Sequence, residues 1–149
     1  INIVDRFNVK SYDTFDGRGN HASMPNGFST VDALVNGSDL PSTKVAFGIP
    51  SYALAINTSV NAHAGYGSTA GTLGKYGNIV RGFEYIEDGI PKSSDAYLNG
   101  YALTRDKVLL AITANLNGVV VPELLSDAPY SYEYSLIKAI GETVAYFSK

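Results

Sequence analysis

Cysteine and tryptophan are absent from the chain, and methionine occurs once. Without cysteine there are neither disulfides nor thiolate metal sites, and the redox compartment leaves no mark on the sequence. Charge is sparse as well: 17% of the residues are Asp, Glu, Lys or Arg, and the formal net charge is −3. The 11 Lys and Arg residues are scattered, so no phosphate-tracking surface is visible and nucleic acid is not expected as a partner. No apolar run approaches the roughly 20 residues that a membrane-spanning helix needs, so no membrane span is expected. The only histidines, His21 and His63, have no partner at helical i, i+4 spacing. They read as loop histidines in solvent, and neither a metal nor a cofactor is expected. A G-x-S-x-G nucleophile elbow is missing. The glycine-rich stretches Gly65-Tyr-Gly67 and Gly71 to Gly77 do not follow a predicted strand, which argues against a phosphate-binding loop.

What is present is the composition of one globular segment, 45% hydrophobic over 149 residues. The chain starts at Ile1, within an apolar stretch and with no signal-peptide pattern, which suggests a processed product or a fragment. Asn36-Gly-Ser38 and Asn57-Thr-Ser59 would accept glycans in a eukaryotic secretory pathway, although such triplets are common by chance in chains rich in Asn and Ser.

Along the chain, Ile1 to Tyr12 predicts a strand, followed by turn residues at Asp13 to Gly17 and a loop up to Gly27. Ser29 to Val35 predicts a short helix capped by Ser29 and closed by Asn36-Gly37. Lys44 to Tyr52 is a continuous apolar run, as expected of a strand covered on both faces. Residues 57–82 hold many glycines and read as a long loop, within a loop or small insertion spanning 57–100. Leu103 to Leu116 shows a helical apolar stripe with Thr104 as a possible cap, Val119 to Val121 is a short buried strand, and Tyr132 to Phe147 is an amphipathic helix. This order implies an α/β chain with parallel pairing and crossover helices.

Three strand ends carry a resemblance. Val4-Asp-Arg-Phe-Asn-Val-Lys-Ser-Tyr-Asp13 resembles the sixth-strand pattern D-x-I-N-V-M-x-Y-D of glycoside hydrolase family 18, the chitinase-like barrels. Leu40-Pro-Ser-Thr-Lys-Val-Ala-Phe-Gly-Ile-Pro-Ser-Tyr52 resembles the seventh, L-P-x-x-K-I-V-L-G-I-P-F-Y-G-R. Leu116-Asn-Gly-Val-Val-Val-Pro-Glu-Leu-Leu-Ser-Asp127 resembles the eighth, L-G-G-V-M-I-W-E-L-x-x-D. The ordered set covers nearly the whole chain. It implies the C-terminal portion of a (β/α)8 TIM barrel, three parallel strands completed by the N-terminal part of the same precursor or by another protein chain.

The family cleaves β-1,4-linked N-acetylglucosamine polymers by a retaining route in which the substrate's own acetamide replaces the enzyme nucleophile. Its acid is a Glu ending a D-x-x-D-x-D-x-E motif on the fourth strand, and this chain has no such motif. No catalytic residue is therefore expected here. The resemblance implies substrate-binding roles instead: Tyr12 donating toward an acetamide, Asp13 accepting from sugar groups, and Tyr52 and Glu123 at neighbouring strand ends. The plainer alternatives are that Tyr12 packs, Asp13 opens an Asx turn, Tyr52 is an ordinary strand-end tyrosine and Glu123 faces solvent. Departures from the pattern stand at Lys10, at Ser51-Tyr-Ala-Leu54 and above all at Pro122, where the family has the tryptophan beneath the reacting sugar. Proline offers no π-face to a sugar's C–H surface. The expectation is a secreted, catalytically impaired, chitinase-like segment whose ligand is a chitooligosaccharide or N-glycan. The alternatives are a structural or interaction subunit of an assembly such as a toxin or capsid, and a fragment of an active chitinase.

Overall fold

The computed structural model describes residues 4–56, 58, 60 and 62–147. The sequon at Asn57 and the first residues of the strand expected from Ile1 lie outside that set. Among the described residues the strands are β1 (Phe7–Val9), β2 (Val45–Gly48), β3 (Tyr52–Ala55), β4 (His63–Gly65), β5 (Ile79–Glu87), β6 (Ile90–Tyr97) and β7 (Gly118–Val120). The helices are α1 (Met24–Val35), α2 (Tyr66–Leu73), α3 (Tyr101–Thr113) and α4 (Leu136–Phe147).

Two sheets result. One is parallel, in the order β1-β2-β7, with Phe47 in register with Val9 on one side and Val119 on the other. The other is antiparallel, in the order β4-β3-β6-β5. The mixed α/β class and the three parallel strands agree with the sequence. The central strand β2 is buried at every position, which its unbroken apolar run requires. Phe47 is wholly buried, and removing a side chain of this size from water is worth roughly 1.5–3 kcal/mol. Helices α1 and α3 cover it through Val31, Val108 and Leu110, joined by Ile140 of α4.

A second core, under the antiparallel sheet, joins Ala53, Ala96 and Leu98 to Tyr66 and Ala70 of α2 and to Leu136 of α4. Its α2 residues, Tyr66 and Ala70, lie in the stretch expected as loop. Residues 57–82 hold β4, α2 and the start of β5, so the glycine run after Gly65 does follow a strand and opens a helix. Small residues let these elements pack closely: Ala53, Ala70 and Ala96 are almost fully buried.

Helix boundaries also move. Helix α1 begins at Met24, with Pro25 in the first turn where its fixed φ suits the helix, so Ser29 lies inside the helix and caps nothing. Helix α3 begins after Gly100, and Thr104 donates its hydroxyl to Asn99 O at 3.3 Å within the first turn. Helix α4 begins at Leu136, and its cap comes from Asp127. Asp127 Oδ1 accepts from Leu136 N and Oδ2 from Ile137 N, both at 2.9 Å, and Oδ2 also accepts from Ser135 Oγ. The carboxylate thus satisfies amides that the first helical turn leaves open.

Candidate functional site

In a parallel sheet every strand ends on the same edge, and three loops leave that edge here. Lys10 to Asp13 follow β1, Ile49 to Ser51 follow β2 and lead directly into β3 at Tyr52, and Val121 to Glu123 follow β7. Of the four residues singled out in the sequence, Tyr12, Asp13 and Glu123 sit on these segments, and Tyr52, expected to end the strand begun at Lys44, instead opens β3. Two of them meet: Tyr52 donates its hydroxyl in a short hydrogen bond to Asp13 Oδ1.

Asp13 is the hub. Lys10 Nζ lies 2.7 Å from its Oδ2, so each carboxylate oxygen has a partner. Partial burial works against ionisation, but the bonds from Lys10 and Tyr52 outweigh it and hold the carboxyl below its usual value. Asp13 is therefore an acceptor at neutral pH. Its backbone is left-handed, with φ 59°, an uncommon conformation for a residue other than glycine. Burial, and next the bond to Asp13, raise the Tyr52 hydroxyl far above the ordinary tyrosine value, so Tyr52 stays a donor.

Tyr12 packs against β2. Its ring lies against β2 at Gly48, where an added Cβ would fall 2.7 Å from Tyr12 Cε1 and 2.7 Å from Val9 O, so only glycine fits. Lys10 Nζ stands 5.5 Å from the Tyr12 ring centroid. Glu123 is exposed and accepts from Ser126 Oγ at 2.9 Å, while its backbone carbonyl accepts from Ser51 Oγ at 2.7 Å and ties the β2 and β7 loops together. Its charge is also felt at Tyr52. Pro122 is exposed beside it.

The sequence missed His21. Expected in solvent, it is 0% exposed and stacks on Tyr52 with ring centroids 5.6 Å apart. The Asp13 N–H donates to His21 Nε2 at 3.0 Å. Burial, reinforced by the Lys107 charge, lowers its pKa to about 4, so the ring is neutral at ordinary pH. The only available signal was the turn: Phe15 and His21 form an antiparallel bridge around it, and Asp16 Oδ1 accepts from Arg18 N and Asn20 N to close it. His63 is exposed as expected and meets Tyr52 edge-on at 5.8 Å. Among the described residues no group of His, Cys, Asp or Glu is placed to hold a metal, and no helix is long and apolar enough to cross a membrane.

The fold is that of an α/β chain, with a polar, aromatic-bordered cluster as its candidate site beside the ends of the parallel strands. Solved structures supply the next step: the fold is that of chitinases and chitinase-like proteins of glycoside hydrolase family 18. A GH18 chitinase of Flavobacterium johnsoniae matches 93% of this chain at 22% identity with a TM-score of 0.69, using 42% of its own chain. A chitinase-like agglutinin of Robinia pseudoacacia matches 93% at 19% identity and TM-score 0.62, using 47% of its own chain. A class V chitinase from Nicotiana tobaccum, in complex with NAG4, matches 93% at 15% identity and TM-score 0.63, using 48% of its own chain. The present chain thus spans less than half the length of these proteins, and at such identities the likeness is one of fold. No family model and no curated protein matches the sequence.

Proposed function

We propose that this chain is the C-terminal portion of a chitinase-like (β/α)8 barrel that binds N-acetylglucosamine-containing glycans at the strand ends and is catalytically impaired. The observation that carries the reading is the Asp13–Tyr52 pair at the C-terminal edge of the parallel sheet, the edge on which barrel enzymes build their sites. An ionised Asp13 offers acceptor capacity to sugar hydroxyl and amide donors, and the exposed His63 and partly exposed Tyr12 border it. Support for impairment comes from Pro122, which stands where the family pattern has an aromatic floor. An extracellular location accords with this reading.

Titration calorimetry of the intact protein with chitooligosaccharides tests it. Asp13→Ala is expected to weaken binding by about 1–3 kcal/mol, the cost of leaving a buried partner unpaired. Unchanged affinity would remove Asp13 from the site, and absence of binding in the unsubstituted protein would remove the glycan. Hydrolysis of a fluorogenic chitobioside by the 149-residue chain alone would overturn the impairment. An interaction subunit is the second reading. It is favoured by Leu124 and Leu125, which follow Glu123 directly and are 60% and 100% exposed. It takes precedence if no glycan binds.

A further inference from the structure

We propose that His21 is a positioning residue that fixes Asp13, and through it the Asp13–Tyr52 pair, in the geometry that receives the ligand. This rests on the reading of that pair as the glycan contact.

Asp13 needs an external hold because its left-handed backbone, φ 59°, is costly for a residue with a Cβ. The bond from its N–H to His21 Nε2 supplies one, and the same imidazole stacks on Tyr52, so a single side chain touches both members of the pair. A bond in this direction requires Nε2 to be unprotonated, which places the ring proton on Nδ1. Burial keeps the ring in that neutral state by lowering its pKa to about 4.

His21 is itself anchored from across the fold. Asn99 Nδ2 donates to His21 O at 3.2 Å, and the buried Lys107 of α3 donates to the carbonyl of Ala22, a residue whose φ is 46°. Ala22 N donates to Thr14 O at 2.7 Å, closing the loop on the residue after Asp13. The backbone at His21 and Ala22 is thus held by Asn99 and by Lys107 of α3, while the imidazole presents an acceptor to Asp13.

The test uses the intact protein with 15N-labelled histidine, and two substitutions. His21→Gln keeps an acceptor near the position of Nε2, whereas His21→Phe keeps a ring on Tyr52 and removes the acceptor. The unsubstituted protein should show a neutral His21 carrying its proton on Nδ1 at neutral pH, and a slowly exchanging Asp13 amide. His21→Phe should weaken binding of a chitotetraose by about tenfold, the loss of one buried hydrogen-bond partner, and His21→Gln by less than about threefold. An imidazolium or an Nε2–H tautomer would overturn the proposal, as would tight binding by His21→Phe. If the unsubstituted protein binds no chitotetraose, the glycan reading fails by itself. The positioning role is then decided by the Asp13 amide: faster exchange in His21→Phe than in His21→Gln supports it, and equal exchange overturns it. If His21→Phe does not fold, the tautomer in the unsubstituted protein decides.

Discussion

Buried basic side chains set the response of this molecule to acid. Burial lowers His21 to about 4, and burial alone lowers Lys107, on α3 against Phe47, to about 7. In the unfolded chain these groups take up protons at their ordinary values of 6.5 and 10.5 respectively. Between its two values each group binds more protons unfolded than folded, so stability rises with pH across both windows. For His21 the contribution is complete above pH 6.5 and is lost as the pH falls toward 4. Urea midpoints measured from pH 4.5 to 6.5 should therefore climb in the unsubstituted protein and stay flatter in His21→Gln, a variant that never charges. Parallel slopes in the two proteins would remove His21 as the cause. The polarity of Lys107 hid its location from the sequence. Its neighbours Val108, Leu110 and Ala111 read as core, but an ammonium group aimed at a loop carbonyl leaves no periodic trace.

At the scale of elements, what was legible followed from burial on both faces. Strand β2 is apolar at every position and central in its sheet, so its identity and parallel setting could be read directly. The antiparallel sheet could not be read. Helix α2 is Tyr-Gly-Ser-Thr-Ala-Gly-Thr-Leu, eight residues with two glycines and little apolar periodicity, and it is held by tertiary packing on Ala53 and Leu136. The hairpin of β5 and β6 has its alternation interrupted by a register shift between Val80 and Phe83, and Pro91 lies within β6. Its turn was still written in the chain as Asp88-Gly89, with φ 53° and 75°, the pairing that a two-residue hairpin favours. Of the candidate site, the positions of Asp13 and Tyr52 near strand ends were legible, although Tyr52 opens β3 instead of ending β2, and the bond between the two was not foreseen. The packing of Tyr12 was one of two readings left open, because what decides it is the missing side chain of Gly48 on another strand. The α4 cap offers a test at this scale. Asp127 accepts bonds from Ala128 N, Ser135 Oγ, Leu136 N and Ile137 N, so Asp127→Ala should destabilise the fold by about 1–2 kcal/mol, toward the upper end of cap losses. Chemical denaturation measures it, and a loss below about 0.5 kcal/mol would mean that water replaces the carboxylate.

For the molecule as a whole, the decisive feature is that the parallel sheet stops at β1 and β7. Among the described residues each has one neighbour, β2, and the antiparallel sheet begins after β2 without pairing to either, so two outer edges offer backbone groups to another strand. Parallel sheets are normally covered on both faces, and an uncovered edge is a ready template for another strand. Apolar side chains are exposed as well: Leu124 and Leu125 beyond β7, and Val144, Tyr146 and Phe147 at the end of α4. Strands arriving at both edges, with their helices, would cover these features and complete a barrel, which fits a chain that occupies less than half the length of the chitinases sharing its fold. Residues 1–149 are accordingly expected to be found packed against further polypeptide, of the same precursor or of another chain, over an interface above the roughly 2,000 Å² typical of obligate association. Expressed alone, the chain should self-associate through its edges or bind a hydrophobic dye, and it should unfold without a sharp transition. Sedimentation velocity together with dye fluorescence distinguishes the outcomes. A monodisperse 15.9 kDa species that excludes dye and unfolds cooperatively would mean that the two small cores suffice and that β1 and β7 are tolerated as true edges.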